Sequence, residues 1–226
     1  MTKRISALLV VGLLVGSASG EIMVSVDQGT APWLGFMNVY NLPEPEGDGA
    51  FQFGSPWGVP DLVAIFDDPM NELALLPNSI GDPDPYWYQG GGGPGAPGNK
   101  IMEANLYQEV TDDAYAGQTI VFEGTILSNT YTEAHSAGIF IRDFAPDYST
   151  FNETFVPADP GPFRISLETD PGLGRPVQWG FQSVGVNVWI TDIDPFGSVV
   201  IETIPEPGSL ALMGLGGLLL LRRRSA

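Results

Sequence analysis

Phe163-Arg164-Ile165-Ser166-Leu167-Glu168-Thr169-Asp170 alternates without a break. Phe, Ile, Leu and Thr fall on one parity, and Arg, Ser, Glu and Asp on the other. Successive side chains of a strand point to opposite faces, so this period of two puts one face on a core and the other in water. A helix would scatter the same apolar residues around its circumference. The pattern recurs downstream. Val177, Trp179 and Phe181 alternate with Gln178, Gly180 and Gln182, and Val186, Val188 and Ile190 with Asn187, Trp189 and Thr191. Further strand-like runs are Ile22 to Val26, Gly35 to Leu42, Leu62 to Phe66, Glu72 to Leu76, Ile101 to Val110, Thr119 to Leu127, Gly138 to Phe144 and Ser198 to Ile204. Gly, Pro, Asn and Asp separate them, and no apolar helical pattern reaches 12 residues. The expected fold is all-β, a jelly-roll β-sandwich.

Two stretches break the rhythm. Residues 81–99 contain Asp82-Pro83-Asp84-Pro85, then Tyr86-Trp87-Tyr88, then four glycines from Gly90 to Gly93. This reads as a long loop within one domain, since each flanking half is too short to close its own sandwich. Residues 44–60, with Phe51, Phe53 and Trp57, read as a second irregular loop.

Charge narrows the partners. The 226 residues hold 9 Lys+Arg against 27 Asp+Glu, a net charge of -18. A nucleic-acid partner is excluded on this ground, because phosphate contact needs a basic patch. With no cysteine there is no disulfide framework and no thiolate site, and the single histidine, His135, removes histidine-cluster zinc sites.

The two ends read as addresses. Lys3 and Arg4 precede a nearly apolar run, Ile5 to Val15, then the small residues Gly16, Ser17, Ala18, Ser19 and Gly20. Ala18 and Gly20 suit the small pockets of a signal peptidase, so residues 1–20 are expected to be a cleavable signal peptide. The run is short for a membrane span, the alternative reading. At the other end Pro205-Glu206-Pro207-Gly208 is followed by the uncharged stretch Ser209 to Leu221 and then by Arg222, Arg223 and Arg224. A helix from Pro207 to Leu221 is about 22 Å long at 1.5 Å per residue, a short transmembrane helix through a core of about 30 Å. The arginines should stay on the cytoplasmic side, leaving residues 21–204 outside the inner membrane.

This tail, residues 205–226, resembles the PEP-CTERM sorting signal of bacterial exported proteins in the order, spacing and terminal position of its three parts. The tripeptide alone is weak, since Pro43-Glu44-Pro45 has the same letters with no apolar helix after it. The resemblance implies recognition and cleavage by an exosortase after transient anchoring in the inner membrane. It also implies delivery to the cell surface or an extracellular matrix. An ordinary anchor would keep the topology and deny only the processing.

The exported part, residues 21–204, keeps four basic residues, Lys100, Arg142, Arg164 and Arg175, against 26 acidic ones, a charge of about -22. Three segments resemble strands of galactose-binding-like or carbohydrate-binding-module-like jelly rolls. They are Gly98-Asn99-Lys100-Ile101-Met102-Glu103-Ala104-Asn105-Leu106-Tyr107, Gly117-Gln118-Thr119-Ile120-Val121-Phe122-Glu123-Gly124-Thr125 and Phe140-Ile141-Arg142-Asp143-Phe144-Ala145-Pro146-Asp147-Tyr148. The resemblance covers roughly residues 81–204 and implies fold more than ligand.

Catalytic chemistry finds little support. His135 is the only candidate triad base, in a polar run expected to be an exposed loop, and no Gly-x-Ser-x-Gly occurs. Glu103 and Glu109 share one strand face, about 20 Å apart at 3.3 Å per residue, too far for a glycosidase pair. Sugar binding has a clearer basis, because sugar C–H faces pack on aromatic rings while hydroxyls pair with carboxylates and amides. Trp87 in its loop, Trp189 on the polar side of its strand, and Glu103, Asn105 and Tyr107 on one strand face are the candidates. Trp179, in phase with Val177 and Phe181, reads as core. Asp67-Asp68, Asp82 and Asp84, Asp112-Asp113, and Asp192 and Asp194 are hard oxygen ligands that suit a structural calcium, or ordinary turn residues. The expectation is an exported, non-catalytic surface or matrix protein. The alternatives are a binding module for envelope polysaccharide and, behind it, a polysaccharide hydrolase.

Overall fold

The computed structural model describes residues 20–29 and 32–205. Ala18 and the rest of the expected signal peptide up to residue 19 lie outside the described residues. So do Glu206, Pro207, the expected tail helix, and Arg222, Arg223 and Arg224. Among the described residues no helix is long and apolar enough to cross a membrane.

The described chain is all-β. Its strands are β1 (Glu21–Val24), β2 (Leu34–Asn41), β3 (Phe51–Trp57), β4 (Ala64–Asp67), β5 (Glu72–Leu75), β6 (Ser79–Ile80), β7 (Lys100–Val110), β8 (Thr119–Asn129), β9 (His135–Phe144), β10 (Phe151–Pro157), β11 (Gly161–Glu168), β12 (Val177–Val186), β13 (Val188–Trp189) and β14 (Val199–Glu202). One six-stranded sheet is antiparallel throughout, in the order β10-β9-β12-β7-β2-β3. The second is organised on β8. One edge of β8 pairs with β11. The other pairs with β1, in parallel, over its first residues and with β14 over its last, and β5 and β4 follow β14. The short β6 and β13 form a parallel pair.

The apolar faces of the two large sheets share one core. Phe122 of β8 lies 5.6 Å from Phe181 of β12, and Phe163 of β11 lies 5.1 Å from Phe122. Met37, Met102, Leu106, Ile139 and Ile141 fill the antiparallel side with almost no exposure. Each such buried side chain contributes about 1.5–3 kcal/mol, which is why strict alternation fixes the register. The expected alternation in β11 is observed: Ile165 and Thr169 are buried while Arg164, Ser166, Glu168 and Asp170 are exposed. Trp179 is core, 6 % exposed and packed near Tyr115.

Four expectations need correction. Residues 44–60 are not all loop, because Phe51–Trp57 pairs with β2 as the outer strand β3. Its apolar residues at 51 and 53 alternate with Gln52 and Gly54, a weak pattern that Pro56 and two glycines mask. Strand β10 went unexpected for a similar reason: the polar residues Asn152-Glu153-Thr154 after Phe151 hide an edge strand bonded to β9. The run from Val186 to Ile190 is not one strand. Asn187 is 1 % exposed, and its amide accepts hydrogen bonds from the backbone N–H groups of Asn99 and Lys100. The chain turns there, and Ile190 ends 53 % exposed. Finally, His135 is not in an exposed loop. It opens β9, 6 % exposed, between the rings of Tyr131 and Phe196, with Nε2 3.0 Å from the Val186 carbonyl. Gly185 makes room for it, since a Cβ there would strike the imidazole.

Candidate functional site

The outer face of the antiparallel sheet carries the richest concentration of polar and aromatic side chains. On β7 the odd positions Glu103, Asn105, Tyr107 and Glu109 point away from the core, because Met102, Ala104 and Leu106 occupy it. Register then sets their neighbours. Asn38 of β2 lies opposite Glu103 and Phe36 opposite Asn105, while Gln178 of β12 lies opposite Glu109. One strand further, Arg142 of β9 is opposite Gln178, and Glu153 of β10 is opposite Arg142. Asn38, Glu103, Asn105, Tyr107, Glu109, Arg142 and Gln178 line a groove of about 460 Å³, together with the aromatic rings of Phe36, Phe144, Tyr148 and Phe151.

The floor is rigid. Arg142 donates from Nε to Glu153 Oε1 at 2.7 Å and from Nη1 to Asn105 Oδ1 at 2.7 Å. Its guanidinium stands 3.9 Å from the centre of the Phe140 ring. Asn105, 3 % exposed, also accepts from Gln182 at 3.1 Å. Glu103 Oε1 accepts from Asn38 at 2.8 Å and from Asn105 at 3.3 Å. Glu109 Oε2 accepts from Gln178 at 2.6 Å and from the Tyr148 hydroxyl at 3.2 Å. Burial, reinforced by the Glu109 charge, raises the Tyr107 phenol above its usual range. Burial and the same carboxylate push Tyr148 up to about 12. Both phenols are neutral hydroxyls at physiological pH. The groove thus offers aromatic faces, two half-buried carboxylates, amides, phenols and one engaged cation.

Of the residues singled out in the sequence, Glu103, Asn105 and Tyr107 come together here. Trp87 and Trp189 do not; both lie at the loop end of the sandwich. Trp87 stands edge-on to Phe53 and Tyr86 and lines a separate hollow of about 590 Å³ with Trp57, Asp82 and Ile190. Trp189 packs edge-on to the buried Tyr88 at 5.3 Å. The glycine loop folds over its indole so closely that a Cβ at Gly92 would sit 2.5 Å from the ring. A third hollow, about 530 Å³, is lined largely by aliphatic residues, prolines and glycines, among them Leu42, Pro97 and Val188.

The sequence reading missed Arg142, Gln178, Phe36, Phe144, Tyr148 and Phe151 as groove residues. One signal was available: Arg142 directly follows the apolar run Ile139-Phe140-Ile141, and it shares its parity with Phe140 and Phe144.

Four of the eight candidate calcium aspartates act as turn residues. Asp67, Asp82, Asp84 and Asp112 each accept a hydrogen bond from a backbone N–H two or three residues on. Asp192 holds the Gly95 N–H. No group of three or more potential metal ligands converges among the described residues.

At the C-terminal exit Thr203 donates its N–H to the Asn71 carbonyl, Ile204 donates to Val26, and Gln28 donates to the Ile204 carbonyl. Pro205 follows directly. A family profile for the PEP-CTERM protein-sorting motif matches residues 203–225, so the motif begins on residues fixed to the folded domain. That motif implies export, transient residence at the membrane and processing by an exosortase. No curated protein and no solved structure matches the chain.

Proposed function

We propose that the exported β-sandwich is a non-catalytic surface or matrix protein that binds envelope polysaccharide in the groove over β9, β12, β7 and β2. The observation that carries this reading is the groove itself. Aromatic walls stand beside preorganised amides, carboxylates and phenols, the combination that recognises a sugar's C–H faces and hydroxyls together. Binding rather than cleavage is supported by the spacing of Glu103 and Glu109, about 20 Å along one strand, where a glycosidase pair stands about 5–9.5 Å apart. The alternation of β7, β8 and β9 between the two large sheets supports a jelly-roll assignment of the galactose-binding-like kind. The sorting motif supports delivery to the surface or matrix where such a polymer would be met.

Affinity electrophoresis in gels cast with the cell's own envelope polysaccharide tests the proposal. The mature protein should be retarded, and Tyr107→Ala and Phe151→Ala should run free. Trp189→Ala should be retarded like the parent. Retardation lost in Trp189→Ala but kept in both groove variants would move the site to the loop end and reject the groove.

A further inference from the structure

Every basic side chain among the described residues is already engaged. Arg142 pairs with Glu153, Arg164 with Glu21 and Glu123, and Arg175 with Asp143. Lys100, 6 % exposed, donates to the Asn99 carbonyl and stands 4.4 Å from the centre of the Tyr86 ring. Within the groove the balance is sharper. Arg142 is the one cation in its lining, and Glu153 and Phe140 take it up. Glu103 and Glu109 receive hydrogen bonds only from neutral groups, namely the amides of Asn38, Asn105 and Gln178 and the Tyr148 hydroxyl. Two half-buried carboxylates therefore face the groove with no ion-pair partner, Arg142 being linked to Glu103 only through the Asn105 amide.

Each class of glycan meets this arrangement differently. A uronate or sulfate polymer brings negative charge to two unpaired carboxylates and to a domain of about -22, and finds no uncommitted cation. A neutral polymer strips water from the carboxylates and returns only hydroxyl hydrogen bonds. A polymer with protonated amino groups supplies positive charge at both ends of the strand and turns hydroxyl–carboxylate hydrogen bonds into hydrogen-bonded ion pairs. We propose that the groove selects a polysaccharide carrying free amino groups, a wholly or partly de-N-acetylated hexosamine polymer. This rests on the groove being the glycan site.

The test compares binding of the mature protein to three probes in EDTA: glucosamine oligomers, their fully N-acetylated counterparts and oligogalacturonate. Two ion pairs of the partly exposed kind predict about tenfold tighter binding of the glucosamine oligomer than of its acetylated form. The preference should shrink as salt rises, and Glu103→Gln with Glu109→Gln should abolish it by weakening the free-amine oligomer more than the acetylated one, so that the two bind alike. Equal binding of the acetylated and free-amine oligomers overturns the selectivity and leaves the glycan groove standing. Tighter binding of oligogalacturonate does the same. Polylysine displacing the glucosamine oligomer at a lower concentration of charge would mean a basic peptide is the better occupant and would also overturn it. Binding of none of the three glycans overturns groove and selectivity together.

Discussion

Removing the Arg142 head group tests the polar floor of the groove quantitatively. In Arg142→Met the stem survives and the guanidinium goes. Lost are the 2.7 Å ion-pair hydrogen bond to Glu153, the 2.7 Å bond to Asn105 and the contact with Phe140. Two of these losses are softened. Glu153, with 28 % of its side chain exposed, regains water, and Asn105 keeps its bond from Gln182. The remainder is one discounted charge-assisted bond plus a cation–π contact, about 2–3 kcal/mol. For a domain of this size that predicts a drop in melting temperature of about 4–12 °C. Circular dichroism melts of Arg142→Met, Glu153→Gln and the double variant form a cycle. The two groups should couple by roughly 1 kcal/mol, so the double variant should lose less than the sum of the singles. Additive losses, or an Arg142→Met melt within about 2 °C of the parent, would refute the floor as a coupled unit.

Four further outcomes are expected. Trp179→Ala should cost about 3–5 kcal/mol by emptying a core site, whereas Trp179→Phe should cost much less, because it also removes a buried indole N–H that has no partner; equal melts would contradict this. Asn187→Ala frees the buried Lys100 N–H, while the Asn99 N–H and the Trp87 carbonyl keep their 2.9 Å bond to each other, so proteolysis within residues 81–99 should accelerate and stability should fall by about 1–3 kcal/mol. Burial holds His135 below its ordinary value, so the unfolded chain takes up a proton at higher pH than the folded one. Stability from this group is complete above about pH 6.5 and declines by at most about 1.4 kcal/mol per unit as pH falls below it, a slope that His135→Gln should flatten in melts between pH 7.5 and 5. Mass spectrometry of the surface form should find no peptide reaching Ala226, since the sorting motif implies removal of the tail; such a peptide would reduce the tail to a plain anchor.

Strands with one face in the core were readable from the sequence because alternation is a direct imprint of burial. β11 has it in full, and β7 shows it through Met102, Ala104 and Leu106. Strands at the outside of a sheet left weaker marks. β3 and β10 bond along one edge and stay largely exposed, with Phe51, Phe151 and Phe155 open to solvent beside polar and small residues, so burial imprints no strong period on them. β12 keeps its expected alternation, with Val177, Trp179 and Phe181 in the core, and because it is central Gln178 and Gly180 on its other face are buried as well. Half of the groove, Glu103, Asn105 and Tyr107, lies on a single strand and could be recognised as one face. The other half comes from β2 and β12, which flank β7, and from β9 beyond β12, and it meets β7 across separations such as 37 residues for Arg142 and Asn105 or 77 for Gln182 and Asn105. Such neighbours leave no local pattern. Trp189 drew notice as an aromatic residue in polar surroundings, but the glycine loop folded over it produces the same appearance as a ligand site.

The most direct test is a crystal structure of the mature protein with a bound glucosamine oligomer. The predicted result is density running along β7 from Glu103 to Glu109, with sugar faces against the groove's aromatic walls and amino groups at the two carboxylates. Density seated instead in the hollow lined by Trp57 and Trp87, with the groove holding only solvent, would contradict the account.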